Sequence, residues 1–159
     1  MFISTLDSPI GKIQISANDH EVFAIFFPEE IPQDNPNDIT ELAKLQFEEY
    51  FDGKRIAFDF QMAQSGTEFQ QSVWNELRKI KAGYPISYTA LSKRLKNPLA
   101  IRAIASANGR NNLLIAVPCH RVIGSNGELV GFSAGLWRKK WLLEHEAAMS
   151  SIGQTSLNF

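Results

Sequence analysis

The sequence predicts an α+β protein: a small N-terminal α/β unit over residues 1–62, a mostly helical domain over residues 63–147, and a flexible tail over residues 148–159. Three observations carry that division. Residues 1–62 consist of short β-rich runs around one amphipathic helix, whereas beyond residue 66 the apolar residues recur mainly at helical spacing. Charge divides at the same place: residues 1–62 carry 4 Lys/Arg and 12 Asp/Glu, residues 63–159 carry 12 and 5. Between them Gln61–Gly66 is a polar connector.

Element by element, Phe2–Leu6, Ile10–Ser16 and Val22–Phe27 read as strands, separated by the turn-forming Ser8-Pro9-Ile10-Gly11 and Asn18-Asp19. Pro28–Asn37 is a Pro/Asn/Asp-rich loop. A helix is expected from Asp38 as its cap, with Glu41 three residues on. Its apolar stripe is Ile39, Leu42, Ala43, Phe47, Tyr50 and Phe51, and Gly53 ends it. Phe58 and Phe60 alternate as in another strand. In the second part Thr67-Glu68-Phe69-Gln70 is a capping-box pattern, and Phe69, Val73, Leu77 and Ile80 share one helical face. Gly83-Tyr84-Pro85 breaks that helix. Ser87 caps a short helix holding Leu91 and Leu95, and Asn97-Pro98, cap and first-turn proline, starts another through Ala107. Two short helices about three residues apart resemble a helix-turn-helix. Leu113–Val117 is very apolar, Gly124–Gly127 is a turn and Gly131–Gly135 a small-residue loop. A last helix carries Leu136, Trp137, Trp141, Leu142, Leu143 and Glu146, with Trp74, Trp137 and Trp141 read as core and His145 as exposed.

Composition excludes several classes. No apolar run reaches the length of a membrane span and no signal pattern opens the chain, so an intracellular, cytoplasmic location is expected, or a nuclear one in a eukaryote. A single cysteine rules out an internal disulfide, and with three histidines it shows no metal-ligand spacing, so neither metal nor cofactor is expected. The charge asymmetry fits a polyanionic partner on one side; a merely solvated surface is the other reading.

Cys119 carries the chemistry. It lies between Pro118 and His120, directly after an apolar run. A thiol reacts as its thiolate and needs a base or positive field nearby. Neighbouring side chains on a strand point to opposite faces, so Cys119 and His120 cooperate only if Pro118 imposes a turn or a water bridges them. A lone buried structural cysteine is the alternative.

The surroundings are specific. Pro118-Cys119-His120-Arg121-Val122 resembles the active-site signature of the O6-alkylguanine-DNA alkyltransferases. Ala107-Asn108-Gly109-Arg110-Asn111, Gly131-Phe132-Ser133-Ala134-Gly135-Leu136 and Lys140-Trp141-Leu142-Leu143-Glu144-His145-Glu146 extend the likeness at constant spacing from Gly66 to Glu146. The resemblance implies a ribonuclease H-like N-terminal unit and a winged helix-turn-helix in the C-terminal domain. It implies a monomer that meets double-stranded DNA carrying O6-alkylguanine, with O4-alkylthymine as a second candidate. Cys119 would accept the alkyl group irreversibly, once per molecule. His120 would act through water as the base, Glu146 would orient His120, and Tyr88 would give a proton or hydrogen bond to the base. Asn111 would brace the turn bearing the cysteine. Ser133 would donate to the departing oxygen, Phe132 and Ala134 would wall the pocket, and carbonyls near Cys119 and Val122 would read the guanine amino group. Taken singly, Tyr88 also reads as a half-buried tyrosine before a helix, and Asn111 and Ser133 as plain loop residues.

A buried thiol reaches a base only if the nucleotide is flipped out of the stack. The resemblance implies approach from the minor groove, with Ala100 and Ala103 allowing close contact and Arg102 entering where the guanine was. Lys93, Arg94, Lys96 and Arg110 would contact phosphates. An alanine-rich core helix with Arg102 in a salt bridge is the plain alternative. Three positions depart from the family pattern: Asn112 where proline is common, Phe132 for tyrosine and Ala134 for glycine. Competing functions are a lesion binder without transfer, which would lack Cys119; a helix-turn-helix regulator, which would want base-reading side chains; and a cysteine hydrolase, which would turn over.

Overall fold

The structure, a computed structural model, describes residues 1–150. The chain folds as two compact units, one of Met1–Ser65 with Asn112–Ala116, the other of Gly66–Asn111 with the chain from Val117 onward. The sequence shows one boundary, in the Gln61–Gly66 connector. The return of residues 112–116 to the first unit has no local signature.

In the first unit a tight turn sets the register. Strands β1 (Phe2–Ser8) and β2 (Gly11–Ala17) are antiparallel, with Ser8 opposite Gly11 and Phe2 opposite Ala17. Ser8 Oγ donates to the Gly11 carbonyl at 2.6 Å and accepts from the Ile10 N–H at 3.2 Å, and Gly11 takes φ +116°, where a side chain would be strained. Strand β3 (Val22–Phe26) adds antiparallel to β2. Residues Ile13 to Ala17 are all buried, so β2 is the core strand.

Helix α1 (Asp38–Phe51) packs on β1 and β2. Its cap is Asn37, not Asp38: the Asn37 side chain accepts from the Thr40 N–H at 2.9 Å, and Thr40 Oγ1 accepts from the Asn37 N–H at 3.0 Å. Asp38 instead occupies the first turn, where its charge suits the helix dipole. The buried stripe is Thr40, Ala43, Gln46, Phe47 and Tyr50, with Leu42 exposed. Phe58 and Phe60 form no strand. Gln46 takes the Asp59 N–H at 3.0 Å, and Phe58 packs on Phe47 and Tyr50 with ring centres 4.7 and 5.4 Å apart.

Beside β3, the Ile25 N–H donates to Asn112 O at 2.7 Å and the Leu114 N–H to Ile25 O at 3.2 Å. The Asn112 N–H, which a proline would lack, donates to Gln64 Oε1 at 2.8 Å, so this departure adds a tether. Ile115 has φ +72° and the Ala116 N–H reaches Leu114 O at 2.8 Å, a γ-turn of the strained, positive-φ kind.

The second unit opens with α2 (Glu68–Leu77), begun by the expected Thr67–Gln70 capping box. Trp74 Nε1 donates to Ala107 O at 2.9 Å and ties α2 to α4 (Ile101–Gly109). Strands β4 (Ile86–Ser87) and β5 (Val122–Ile123) pair in parallel, which no periodicity in two residues could announce. Ser87 caps α3 (Tyr88–Arg94) as expected, accepting from the Ala90 N–H at 3.0 Å. Asn97-Pro98 does not start α4. The Ala100 N–H donates to Asn97 O at 3.1 Å, so Pro98 takes the second place of a turn, which its fixed φ also suits, and residues 95–100 separate the helices.

Helix α5 (Leu136–Ser150) buries Lys139, Leu142, Leu143 and Glu146 and runs past the predicted end at Ala147; residues 151–159 of the predicted tail lie outside the described residues. Trp74 is core, but Trp137 is 58% exposed, with the Arg138 guanidinium 4.7 Å from its ring centre. Trp141 is half-buried and stacks on His145, which is therefore not a free surface histidine. No helix among the described residues is long and apolar enough to cross a membrane.

Candidate active site

Pro118 decides the question that the sequence leaves open. With φ −81° and ψ +66° it sits at the centre of an inverse γ-turn, closed by the Cys119 N–H donating to Val117 O at 2.8 Å. Cys119–Arg121 then form one 3₁₀ turn, not a strand, so the alternation that would separate Cys119 from His120 does not apply. Asn111 Nδ2 donates to the same Val117 carbonyl at 2.7 Å and its side chain also hydrogen-bonds the Cys119 sulfur. Both ends of the turn are thereby fixed.

The two residues after Cys119 converge on one carboxylate. His120 Nε2 lies 2.8 Å from Glu146 Oε2, and all of His120 and Glu146 is buried. Arg121 also grips Glu146, Nε to Oε1 at 2.8 Å and Nη2 to Oε2 at 2.9 Å, while its Nη1 donates to Ile80 O at 2.7 Å. Burial alone would raise the Glu146 carboxyl, but the charges and hydrogen bonds of His120 and Arg121 hold it far below the usual carboxylate range. Burial pushes His120 below its ordinary value despite the pull of Glu146, so the imidazole is neutral at rest. With Nε2–H given to Glu146, the lone pair is on Nδ1, which has no partner among the described residues.

Burial raises the Cys119 thiol above its ordinary value. The Asn111 hydrogen bond, the Lys139 charge and the backbone N–H of Cys119 itself pull the other way without overcoming it. At rest the site thus holds a thiol beside a neutral base, not the preformed thiolate that a reactive cysteine suggests. Lys139 is fully buried, its Nζ donating to Val130 O at 2.8 Å and to Gly131 O at 3.4 Å. Burial brings it down to about 8, with Cys119 pulling upward. Tyr88 is half-buried; burial and the nearby Cys119 raise its hydroxyl, and a hydrogen bond from Asn108 lowers it.

Of the residues that the sequence points to, the structure brings Cys119, His120, Glu146, Asn111 and Tyr88 together, through hydrogen bonds or direct electrostatic coupling. Val122 is buried in β5, directly after the 3₁₀ turn. Phe132 and Ala134 are half-buried and Ser133 exposed, in the loop whose start Lys139 holds. On α4 the exposed face carries Arg102, Ala103, Ala105 and Ser106, and the buried face Ile104, Ala107 and Asn108. Arg102 has no ion pair among the described residues, against the core-helix reading; Lys93, Arg94, Lys96 and Arg110 are likewise exposed and Ala100 half-buried. Sequence reasoning misses Arg121, Lys139 and Asn108. Lys139 has a signal, since it shares the helical face of Leu142, Leu143 and Glu146, where a charge is out of place unless paired. Among the described residues no group of three or more His, Cys, Asp or Glu is placed to hold a metal ion.

Comparison with known proteins gives the same outline. Residues 1–64 match the family described as 6-O-methylguanine DNA methyltransferase, ribonuclease-like domain, and residues 68–148 match 6-O-methylguanine DNA methyltransferase, DNA binding domain. The methylated-DNA–protein-cysteine methyltransferase of Methanosarcina acetivorans is 39% identical over 156 residues, covering 93% of this chain and 99% of its own. The constitutive one of Bacillus subtilis is 36% identical over 144 residues, covering 83% and 86%. Among solved structures, Mycobacterium tuberculosis OGT in complex with DNA superposes with a TM-score of 0.85 at 36% identity, covering 94% of each chain.

Proposed function

The chain belongs to the 6-O-methylguanine DNA methyltransferase family, and on that premise we propose that Cys119 takes the alkyl group from an O6-alkylguanine in double-stranded DNA and keeps it as a thioether. The activity is direct-reversal DNA repair by alkyl transfer to the protein's own cysteine. The observation that carries the assignment to this sulfur is that the chain's one cysteine is fixed by Asn111 in a turn that also delivers His120 to Glu146.

The geometry supports a concerted step. The sulfur attacks the alkyl carbon; a carbon–sulfur bond forms as the carbon–O6 bond breaks, and that electron pair leaves on the guanine. The thiol proton passes through water to His120 Nδ1, whose new positive charge is met by Glu146. Because Arg121 keeps Glu146 ionised, the carboxylate is ready before the proton moves. Tyr88 protonates the departing base, and Ser133 donates to the departing oxygen. Nothing reverses a thioether, so each molecule acts once, without metal or cofactor. Phe132 and Ala134 wall the pocket, and carbonyls near Cys119 and Val122 read the guanine amino group.

Residues 1–62 are read as a ribonuclease H-like unit and residues 63–147 as the acceptor domain, with α3 and α4 as a winged helix-turn-helix. The small exposed face of α4 enters the minor groove with Ala100 and Ala103 against it, and Arg102 replaces the flipped nucleotide. Lys93, Arg94, Lys96 and Arg110 position the backbone. The protein acts as a monomer inside the cell.

Intact and peptide mass spectrometry after mixing with duplex DNA containing O6-methylguanine tests the central claim. One methyl should appear on the peptide holding Cys119 and none on Cys119→Ser; a methyl elsewhere, or none on the wild type, refutes it.

A further inference from the structure

Asn108 is a polar residue on the buried face of α4, 4% exposed beside Ile104 and Ala107, a place that helices ordinarily give to apolar side chains. Its Nδ2 lies 3.3 Å from Cys119 O and 3.1 Å from Tyr88 Oη, and its Oδ1 is buried with no partner among the described residues. We propose that Asn108 is a positioning residue for alkyl transfer, which holds the Tyr88 hydroxyl with its proton directed away from the protein and toward the departing base. The inference rests on the reading of Tyr88 as proton donor.

A carbonyl oxygen only accepts, so the Cys119 carbonyl requires the amide nitrogen on its side and settles which way the Asn108 side chain is turned. That nitrogen has a second hydrogen, and Tyr88 Oη takes it. A phenol oxygen engaged as acceptor must send its own hydrogen elsewhere, and no described residue receives it. With the amide reversed, Oδ1 would accept the phenolic hydrogen and draw it inward, away from any substrate. The same N–H also favours the phenolate that proton release leaves behind, opposing burial and Cys119. Asn108 thus ties the proton donor to the backbone of the nucleophile: Cys119 O and Tyr88 Oη share one NH₂ group.

Two alkylating agents separate this role from packing. Free O6-benzylguanine releases a base that needs a proton, whereas iodomethane releases iodide, which needs none. Both are read as rates of Cys119 alkylation by mass spectrometry, in the wild type, Asn108→Leu, Asn108→Ala, Tyr88→Phe and each double variant. Asn108→Leu should slow transfer from O6-benzylguanine at least about tenfold and leave the iodomethane rate within about twofold. In the Tyr88→Phe background it should have no further effect on either. Asn108→Ala, which any helix accommodates, should repeat the pattern and carries the test should the leucine variant not fold. Equal slowing with both reagents, no slowing, or undiminished slowing in Tyr88→Phe overturns the inference while leaving Tyr88 as donor. If Tyr88→Phe itself reacts with O6-benzylguanine at the wild-type rate, the reading of Tyr88 falls and this inference falls with it.

Discussion

The two units bury different kinds of polar group. In the first, the buried polar side chains are Ser4, Gln14, Ser16, Thr40 and Gln46, all uncharged and each bonded to a nearby partner, as Gln14 is to Ser16 at 3.1 Å. In the second they include His120, Arg121, Lys139 and Glu146, and both buried side-chain atoms that lack a partner among the described residues, Asn108 Oδ1 and His120 Nδ1, are there. Interior charges and unpaired polar atoms are costly, and a fold that needed only stability would avoid them. The first unit is therefore built as a core alone, while the second places its uncompensated groups around the one nucleophile.

The largest expected effect removes the anion on which that arrangement turns. Glu146→Ala leaves the buried Arg121 without its carboxylate and should lower unfolding free energy by about 3–5 kcal/mol, read by urea denaturation, as well as abolish transfer. Ser16→Ala in the first unit removes a neutral acceptor, the partner of Gln14 Nε2, and should cost about 1 kcal/mol. Similar losses for the two would break the comparison. Acid sharpens it. The folded-state carboxyl of Glu146 lies below its ordinary value of 4.5, so its contribution is full above that pH and is lost as pH falls below it. Stability should decline below pH 4.5, and Glu146→Gln should lose most of that slope.

Arg102→Ala comes next and leaves stability nearly untouched, because the side chain is exposed and unpaired among the described residues. If it fills the stack after flipping, repair of duplex DNA should slow about tenfold or more, a step of roughly 1.4 kcal/mol, while reaction with free O6-benzylguanine should not change. Equal slowing of both would reject the flipping role and place Arg102 with groups that merely support the fold.

What the sequence makes legible differs between the units for physical reasons. The Ser8–Gly11 turn, the Thr67–Gln70 box and the Ser87 cap are local: the groups that satisfy one another lie within three residues. Expectation and structure part where two local solutions compete. Asn37 and Asp38 both suit a cap, and Thr40 chooses between them by answering Asn37. Asn97-Pro98 suits a helix start or a turn, and the chain takes the turn. Alternating Phe58 and Phe60 suit a strand, but Gln46 captures the intervening N–H. At the site, Cys119, His120, Glu146, Tyr88 and Asn111 are visible through family resemblance. Arg121 is visible only as a member of the run, because its partner is 25 positions away, and the pairing of Asn108 with Tyr88 spans 20. No periodicity records such distances.

The two helix starts offer the smallest and cleanest contrast. α1 and α2 both begin with a reciprocal capping box, Asn37 with Thr40 and Thr67 with Gln70, at comparable distances of 2.9 to 3.1 Å. Removing either cap should cost about 0.5–2 kcal/mol. They differ in surroundings: Asn37 is half-buried, its Nδ2 also donates to Asn18 O at 3.2 Å, and its partner Thr40 is fully buried against Ser4, whereas Thr67 is exposed. Water can replace the lost acceptor at Thr67 but less readily at Asn37, so Asn37→Ala should fall near the upper end of that range and Thr67→Ala near the lower. Urea midpoints at unchanged slope measure the difference. Equal losses would mean that the first unit draws no benefit from burying its neutral hydrogen bonds, and the contrast between the two interiors would then rest on charge alone.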